Sequence, residues 1–194
     1  IGKSCTLYDR NGCIRYGNNN NGIIWEDLIM QLSKHFKLEE MTKSQIATRN
    51  GIKNIPGAGE VKNLENICYE ILEPVRAKFE MPVIINSGYR SLEVNRKLGS
   101  SDSSQHTKGQ AVDFEINGIA NIKVAHWIKD NCDFDQLILE FYNPKEKNGG
   151  WIHCSYNEKG VNRKQVLVFD GKSYENGLPE MEYTFDKMGN EVIK

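Results

Sequence analysis

The sequence predicts an α+β fold, with a mainly antiparallel sheet and helices packed on one face of that sheet. Helical patterns fill most of the chain before residue 80, and strand patterns dominate after it. The polar loop YNPKEKNGG joins two neighbouring strand patterns and favours an antiparallel hairpin. Early helices and late strands are typical of the α+β class. At 194 residues, the chain is long enough to bury its own core.

The N-terminal residues 1–22 are interpreted as an appendage or linker, because the stretch NNNNG is polar and has no periodicity. Residues 23–194 form the predicted domain. The pair Asn11-Gly12 indicates a hairpin turn, and Cys5 and Cys13 could meet across it as a disulfide. The alternative is that both stay reduced. The other cysteines contain no CxxC pair, and Cys68 and Cys154 fit apolar faces and are expected to be buried thiols.

Apolar residues at helical spacing predict helices over residues 23–36 and 64–79. Thr42 is the predicted N-cap of a short helix that ends near Asn50-Gly51. Pro74 falls inside the long helix, so we expect a kink or a split there.

The rest of the chain predicts strands joined by shorter helices. Strands are expected at 82–87, 109–116, 134–141 and 151–156, with helices at 92–98 and 121–132. Segments 166–169 and 183–185 are expected at the edges of the sheet.

Charge and hydropathy exclude two classes of partner. The chain has 25 basic and 26 acidic residues and a net charge of -1, so it lacks the cationic field that nucleic-acid binding requires. No apolar run approaches the roughly 20 residues that span a bilayer. We therefore expect no nucleic-acid partner and no transmembrane segment.

Asp113 stands among apolar residues of a predicted strand, where an unpaired carboxylate costs free energy. A basic side chain or a cation would neutralise it. His106 reaches the same cation only if the chain turns back, because the extended chain between the two residues would span more than about 20 Å. Gly109 can supply that turn, and the small Ala111 leaves room on the face of Asp113.

His153 is the third candidate ligand, since it lies in the strand pattern WIHCSY just after a Gly-Gly turn. His35 and His126 lie in helical patterns, where a solvated or locally bonded histidine is the ordinary interpretation. His106, Asp113 and His153 offer two imidazoles and one carboxylate, with a fourth tetrahedral position for water. This donor set favours one zinc ion, although other divalent metals are compatible with it. Zinc-bound water is acidic enough for hydrolytic chemistry near neutral pH.

Glu140 is the candidate general base, because it ends the strand that pairs with the strand of His153. A register that sets Phe141 opposite Ile152 would set Glu140 opposite His153, on the same face. The sequence does not determine that register. Three other acidic residues are alternatives to Glu140, namely Glu146, Asp133 and Asp135.

Arg90, at the end of a predicted strand, has two interpretations. Its guanidinium could bind a substrate carboxylate or carbonyl oxygen, or it could form a structural ion pair. Ser104 and Gln105 are, on the residues alone, ordinary loop positions.

Three motifs in order resemble the M15 family of zinc peptidases, which includes D-alanyl-D-alanine carboxypeptidases and dipeptidases and phage endolysins that cut the peptide stems of peptidoglycan. The hedgehog signalling domain shares the fold of this family. The motifs are SGYRS at 87–91 followed by Asn95, SxHxxGxAxD at 104–113, and WIHCSY at 151–156. The resemblance covers about residues 36–156 and leaves residues 1–22 outside it.

The resemblance implies that His106, Asp113 and His153 hold zinc, and that Arg90 contacts the substrate or the oxyanion. Ser104 occupies a position that lines the substrate pocket in relatives, and Trp151 replaces a histidine of some relatives and is expected to form a wall of the pocket. Many relatives keep the basic carboxylate within a few residues of the last histidine. Here Glu140 precedes His153 by 13 residues, so a hairpin must restore their proximity.

The implied function is a zinc metallopeptidase that hydrolyses peptidoglycan stems, as a D,D-carboxypeptidase or an L-alanyl-D-glutamate-type endopeptidase. The alternative is a non-catalytic, zinc-containing module for peptidoglycan binding or signalling. Action is expected at the bacterial cell wall. The N-terminus has no secretory signal, which fits a phage enzyme released on lysis, with a removed leader as the alternative. The oligomeric state is left open.

Overall fold

The structure is a computed structural model that describes residues 7–9, 12–14, 30–143, 146, 149–181, 183–185 and 191–193. Its helices are α1 (Leu38–Thr42), α2 (Gln45–Asn50), α3 (Ala58–Ile67), α4 (Glu73–Phe79), α5 (Leu92–Lys97) and α6 (Asn121–Asn131). Its strands are β1 (Leu7–Asp9), β2 (Gly12–Ile14), β3 (Val83–Ser87), β4 (Ala111–Ile116), β5 (Gln136–Glu140), β6 (Trp151–Ser155), β7 (Gln165–Phe169), β8 (Tyr174–Asn176), β9 (Tyr183–Phe185) and β10 (Glu191–Ile193).

The short helix α2 follows its local sequence closely. Ser44 caps it by accepting a hydrogen bond from the backbone N–H of Ala47, so the cap lies two residues after the predicted Thr42. Thr42 instead ends the preceding helix, and its hydroxyl donates to the carbonyl of Leu38. Gly51 ends α2 at a φ of 65°, a left-handed conformation that glycine adopts without strain.

Helices α3 and α4 form one continuous rod, joined by a π-helical turn at Cys68–Leu72. Pro74 lies in the first turn of α4. A proline is tolerated there because the first turn of a helix does not need the N–H that proline lacks. The α-helical hydrogen-bond pattern is thus interrupted just before the proline, in agreement with the predicted split. The π-helical turn keeps α3 and α4 in one rod.

The predicted helix over residues 23–36 is wrong for its described part. Residues 30–37 form a tight loop closed by a bridge between Gln31 and Lys37. Glu73 holds this loop from α4, because its carboxylate accepts hydrogen bonds from the Ser33 hydroxyl and the His35 backbone N–H. These tertiary hydrogen bonds override the helical spacing of the apolar residues. Residues 23–29 lie outside the described part of the chain.

The central sheet has six strands in the order β3-β4-β6-β5-β7-β8. The expectation of a mainly antiparallel sheet needs correction, because β5 and β7 run parallel and the sheet is therefore mixed. The segment after β6 crosses back instead of turning as a hairpin, so β7 lies beside β5 and is not at an edge. Strand β8 occupies the edge, whereas the predicted edge segment 183–185 forms β9, which pairs with β10 in a separate two-stranded sheet.

The two faces of the sheet differ in character. One face joins the helices in a single apolar core, to which the strands contribute Val112, Phe114, Leu137, Leu139, Ile152 and Cys154. The opposite face carries one row of directly paired residues, in which Asp113 lies opposite Ser87 on one side and His153 on the other. Because successive side chains of a strand point to opposite faces of the sheet, Asp113 of β4 and His153 of β6 lie on the face away from the core.

The N-terminal hairpin pairs β1 with β2, with Cys13 opposite Tyr8. Cys5 lies outside the described residues, so its pairing with Cys13 stays a prediction, as does the domain boundary at residue 22. Cys68 and Cys154 are buried free thiols, as expected. Among the described residues, no helix is both long and apolar enough to cross a membrane.

Candidate metal centre

His106 lies in a single 3-10 turn, Gln105–Lys108, that folds the chain back before β4. The turn ends at Gly109, whose φ of 67° favours glycine. A side chain there would also meet the backbone of α3, because an added Cβ would lie 2.5 Å from the Glu60 carbonyl oxygen. The predicted reversal at Gly109 is thus confirmed, with helix packing as a second reason for the glycine.

His106, Asp113 and His153 converge in one cluster on the polar face of the sheet. Asp113 and His153 face each other directly across the β4 and β6 pairing, with His153 Nδ1 2.8 Å from Asp113 Oδ1. His106 Nε2 lies 3.2 Å from the same Asp113 oxygen and 3.3 Å from His153 Nδ1. Three possible ligand atoms therefore point at one another within 4.8 Å.

Gly88 determines which nitrogen of His106 faces the cluster. Its carbonyl oxygen lies 2.6 Å from His106 Nδ1 and can only accept a hydrogen bond. Nδ1 must therefore carry the proton, which leaves the lone pair of a neutral imidazole on Nε2, toward Asp113 and His153. A backbone carbonyl that fixes the histidine tautomer in this way is usual around metal-binding imidazoles.

Arg90 binds the second carboxylate oxygen of Asp113, Oδ2. The guanidinium of Arg90 donates from Nη2 to Asp113 Oδ2 and from Nε to the Ser87 hydroxyl at 2.8 Å. Asp113 Oδ1 is left for the two imidazoles. Of the two interpretations of Arg90, the structural ion pair is thus present, and it is part of the cluster itself.

Burial sets the protonation of the cluster. Desolvation lowers the pKa of His106 below its ordinary value, and the attraction of Asp113 only partly opposes this shift. Burial alone would raise the pKa of Asp113, but the adjacent imidazoles of His106 and His153 hold it well below its ordinary value. The carboxylate is ionised and His106 is neutral at ordinary pH.

These protonation states suit a bound cation. The His106 Nε2 lone pair faces an ionised oxygen that has no proton to donate, and both groups are almost fully buried. A cation would satisfy these atoms together with His153 Nδ1. Two nitrogens and one carboxylate oxygen fit a zinc ion with an open fourth position.

Glu140 lies on the same face as the cluster, but its predicted register is wrong by two residues. Glu140 pairs with Trp151, and His153 pairs with Ile138. The face is nevertheless the expected one, because a shift of two residues preserves the side of a strand. Desolvation raises the pKa of the half-buried Glu140, while His153 acts in the opposite direction. A carboxyl with a raised pKa is suited to accept and return a proton.

A cleft of about 580 Å³ opens over the cluster. Its walls include every residue predicted for the site, namely Arg90, Ser104, His106, Asp113, Glu140, Trp151 and His153. The contributions of Arg90, Ser104 and Trp151 to substrate binding stay predictions, as does the role of Glu140 as base.

The alternatives to Glu140 are less well placed. Asp133 is tied to Lys164 at 3.0 Å and to Asn162 at 2.7 Å, and it does not line the cleft. Asp135 lines the cleft but is fully engaged by Arg163 and Gln105. Glu146 lies outside the cleft lining.

The remaining histidines have ordinary partners, as expected. His35 Nδ1 lies 2.6 Å from Glu73 Oε2, and His126 Nε2 lies 2.8 Å from the Pro179 carbonyl oxygen.

Sequence reasoning missed two groups that build the site. The Gly88 carbonyl is a backbone atom, and nothing in a side-chain pattern marks it, although Gly88 lies within the SGYRS motif. The pair Asp135 and Arg163 joins two loops that are far apart in sequence. The sequence offers Asp135 only as an alternative to Glu140, and nothing in it marks Arg163 as its partner.

Comparison with known proteins agrees with this geometry. The chain is 51% identical over 51 residues to the peptidoglycan L,D-endopeptidases MepK of Escherichia coli and Shigella flexneri. That similarity covers 23% of this chain and 28% of each relative, so the chain spans well under half the length of these proteins. The pattern of the peptidase M15 family matches residues 34–155, which contain the whole cluster together with Arg90 and Glu140. The chain therefore belongs to the peptidase M15 family.

Proposed function

We propose that the protein is a zinc-dependent endopeptidase that hydrolyses the peptide stems of peptidoglycan at the bacterial cell wall. The observation that carries the proposal is the convergence of His106 Nε2, Asp113 Oδ1 and His153 Nδ1 inside a cleft. Membership of the peptidase M15 family and the similarity to peptidoglycan L,D-endopeptidases support the substrate class.

Zinc would be held by the three converging atoms. When bound, it supplies a strongly nucleophilic water near neutral pH and polarises the scissile carbonyl. The chain's own contribution begins with Gly88, which keeps the His106 lone pair on Nε2. Arg90 fixes Asp113 through its second oxygen, so that the carboxylate presents Oδ1 to the ion.

Glu140 is the proposed proton carrier. It accepts the proton of the attacking water and returns it to the departing amine. Its desolvated position favours this exchange, because the raised pKa of Glu140 lies nearer to neutral pH than that of an exposed glutamate. Its pairing with Trp151 places it on the cluster face, two residues along β5 from the partner of His153.

Arg90 also has donors left for the substrate. Its Nε hydrogen and one Nη2 hydrogen are used by Ser87 and Asp113, which leaves the second Nη2 hydrogen and the two hydrogens of Nη1. Arg90 lines the cleft, so these hydrogens can donate to the carbonyl oxygen as negative charge develops on it. In this proposal Arg90 both orients a ligand and stabilises the oxyanion.

An endopeptidase is favoured over a carboxypeptidase because the cleft continues on both sides of the cluster. Glu140, Trp151 and Tyr174 line one end, and Asp135, Asn157 and Arg163 line the other. A peptide could therefore extend past the cleavage point in both directions. A carboxypeptidase needs a closed end that receives a terminal carboxylate.

Product analysis tests the proposed function. Purified peptidoglycan is incubated with the zinc-loaded protein and with the chelator-treated protein, and soluble products are identified by mass spectrometry. We expect new amines within the stem peptides only when zinc is present. Release of D-alanine alone would indicate a carboxypeptidase, and the absence of products would indicate a binding module.

A further inference from the structure

The cleft has a second polar cluster at the end opposite Glu140, built around Asp135. Asp135 stands directly before β5, and its backbone N–H donates to the carbonyl of Ser155 at 2.8 Å. Ser155 follows His153 by two residues on β6, so this cluster lies roughly 7 Å from the metal ligands along the strand. Strands β5 and β6 therefore position both the Glu140 end and the Asp135 end of the cleft.

Asp135 is buried and has no acceptor capacity left for a substrate. Its Oδ1 receives hydrogen bonds from the Arg163 backbone N–H at 3.1 Å and from Arg163 Nε at 2.9 Å. Its Oδ2 receives Arg163 Nη2 at 2.6 Å and Gln105 Nε2 at 3.0 Å. Four donors occupy the two carboxylate oxygens, and the contact with Arg163 holds the pKa of Asp135 below its ordinary value.

Arg163, in contrast, keeps free donors. The bidentate pair uses Nε and one hydrogen of Nη2, which leaves three guanidinium hydrogens. The side chain of Arg163 is 54% exposed and lines the cleft, whereas that of Asp135 is 7% exposed. Asp135 thus fixes the guanidinium of Arg163 at the surface of the cleft, and the three unused hydrogens of Arg163 stay available to a ligand.

Lys108 adds a second cation to this end. It is the last residue of the His106 turn, three residues after the Gln105 that donates to Asp135, and it is exposed and lines the same cleft. Within the described part of the chain, no acidic oxygen pairs with it. Asp135 balances one of the two cations, so Arg163, Lys108 and Asp135 together carry one net positive charge and offer the unused hydrogens of Arg163 and Lys108. Such a surface selects an anionic acceptor.

We propose that Arg163, fixed by Asp135 and assisted by Lys108, forms a subsite that binds a free carboxylate of the stem peptide on one side of the scissile bond. This subsite rests on the proposed function for the identity of its ligand. Peptidoglycan stems carry carboxylates outside their main chain linkages, and these are amidated in some walls. The subsite would therefore distinguish acidic stems from amidated ones.

The test measures binding separately from hydrolysis. Two disaccharide tetrapeptides are compared by calorimetry, one with free stem carboxylates and one with the same groups amidated. The zinc-loaded protein carries Glu140→Gln, so that the ligands are not consumed. We expect the acidic ligand to bind about tenfold more tightly than the amidated one. Arg163→Gln in this background should reduce the preference to about twofold or less, and Lys108→Gln should reduce it in part.

Two further variants keep the result interpretable. Arg163→Gln leaves Asp135 buried without its partner, so Asp135→Asn with Arg163→Gln provides a neutral pair that should fold and also lose the preference. Arg96→Gln is the matched control, because Arg96 forms a bidentate pair with Asp102 away from this cleft. It should leave the preference unchanged.

A preference that survives both Arg163 variants would overturn the subsite, as would equal affinity for the two ligands or no binding of either. Failure of the proposed function gives a different pattern. In that case peptidoglycan is not cleaved, while the preference for the acidic ligand and its dependence on Arg163 remain.

Discussion

The carbonyl oxygen of Gly88 accepts a hydrogen bond from His106 Nδ1 at 2.6 Å, and this contact aims His106 Nε2 at Asp113 and His153. A main-chain oxygen directly after β3 thus determines which nitrogen of His106 carries the proton, although His106 lies on a different segment. The arrangement therefore directs the lone pair of His106 Nε2 toward the atoms that a cation would share.

Arg90→Lys should weaken zinc binding by about 10- to 100-fold, because lysine cannot hold both Ser87 and Asp113 as the guanidinium does. Competition with a chromophoric chelator measures the zinc Kd. Arg96→Lys is the control, since Arg96 makes a similar pair with the exposed Asp102. An unchanged Kd in Arg90→Lys would show that Arg90 does not orient the ligand.

Glu140→Gln should lower kcat on peptidoglycan fragments by about 10²- to 10⁴-fold, the usual contribution of a general base. The zinc Kd should stay near the wild-type value, because Glu140 is not among the converging ligand atoms. Asp133→Asn changes an acid outside the cleft and should leave kcat unaffected. Wild-type turnover by Glu140→Gln would remove Glu140 from the mechanism.

The activity should decline on the acidic side at a pH above the ordinary range of a glutamate. Glu140 must be ionised to accept a proton, and burial raises its pKa. Activity is therefore full above the raised pKa and is lost as the pH falls through it. The pH profile of kcat/KM measures this limb. A limb at or below about pH 4.3, the value of an exposed glutamate, would contradict the assignment.

Gly150→Ala should destabilise the fold more than Gly99→Ala. Both glycines have similar φ values, 71° and 70°, so alanine is strained at either position by about 1 kcal/mol. An added Cβ at Gly150 would also run into the carbonyl oxygen of Glu140, whereas Gly99 faces open space. Urea denaturation compares the free energies of unfolding. Equal losses would show that the backbone of the Glu140 hairpin can move to accept a side chain.

Much of the site could be predicted from the sequence because its signals are local. Asp113 conflicts with its apolar strand, and Gly109 and Ala111 are small where the chain must reverse, so a neutralising partner for Asp113 and a turn can be predicted from short stretches. The cluster of His106, Asp113 and His153 also needs the antiparallel pairing of β4 with β6, which are neighbours in the sheet but are separated in sequence by α6 and β5.

The parts that the sequence did not predict depend on contacts between distant segments. Glu73 holds residues 33–35 out of a helix, although their apolar spacing is helical. The register between Glu140 and Trp151 depends on the hairpin geometry, including Gly150 at positive φ, and not on the strand residues alone. The parallel contact of β7 with β5 requires a crossover that local patterns do not encode.

Anomalous diffraction at the zinc absorption edge, from crystals of the zinc-loaded protein, tests the metal centre most directly. We expect one strong peak within about 2 Å of His106 Nε2, Asp113 Oδ1 and His153 Nδ1 together. A peak bound elsewhere, or no peak at these atoms under saturating zinc, would contradict the assignment of this cluster as the metal centre.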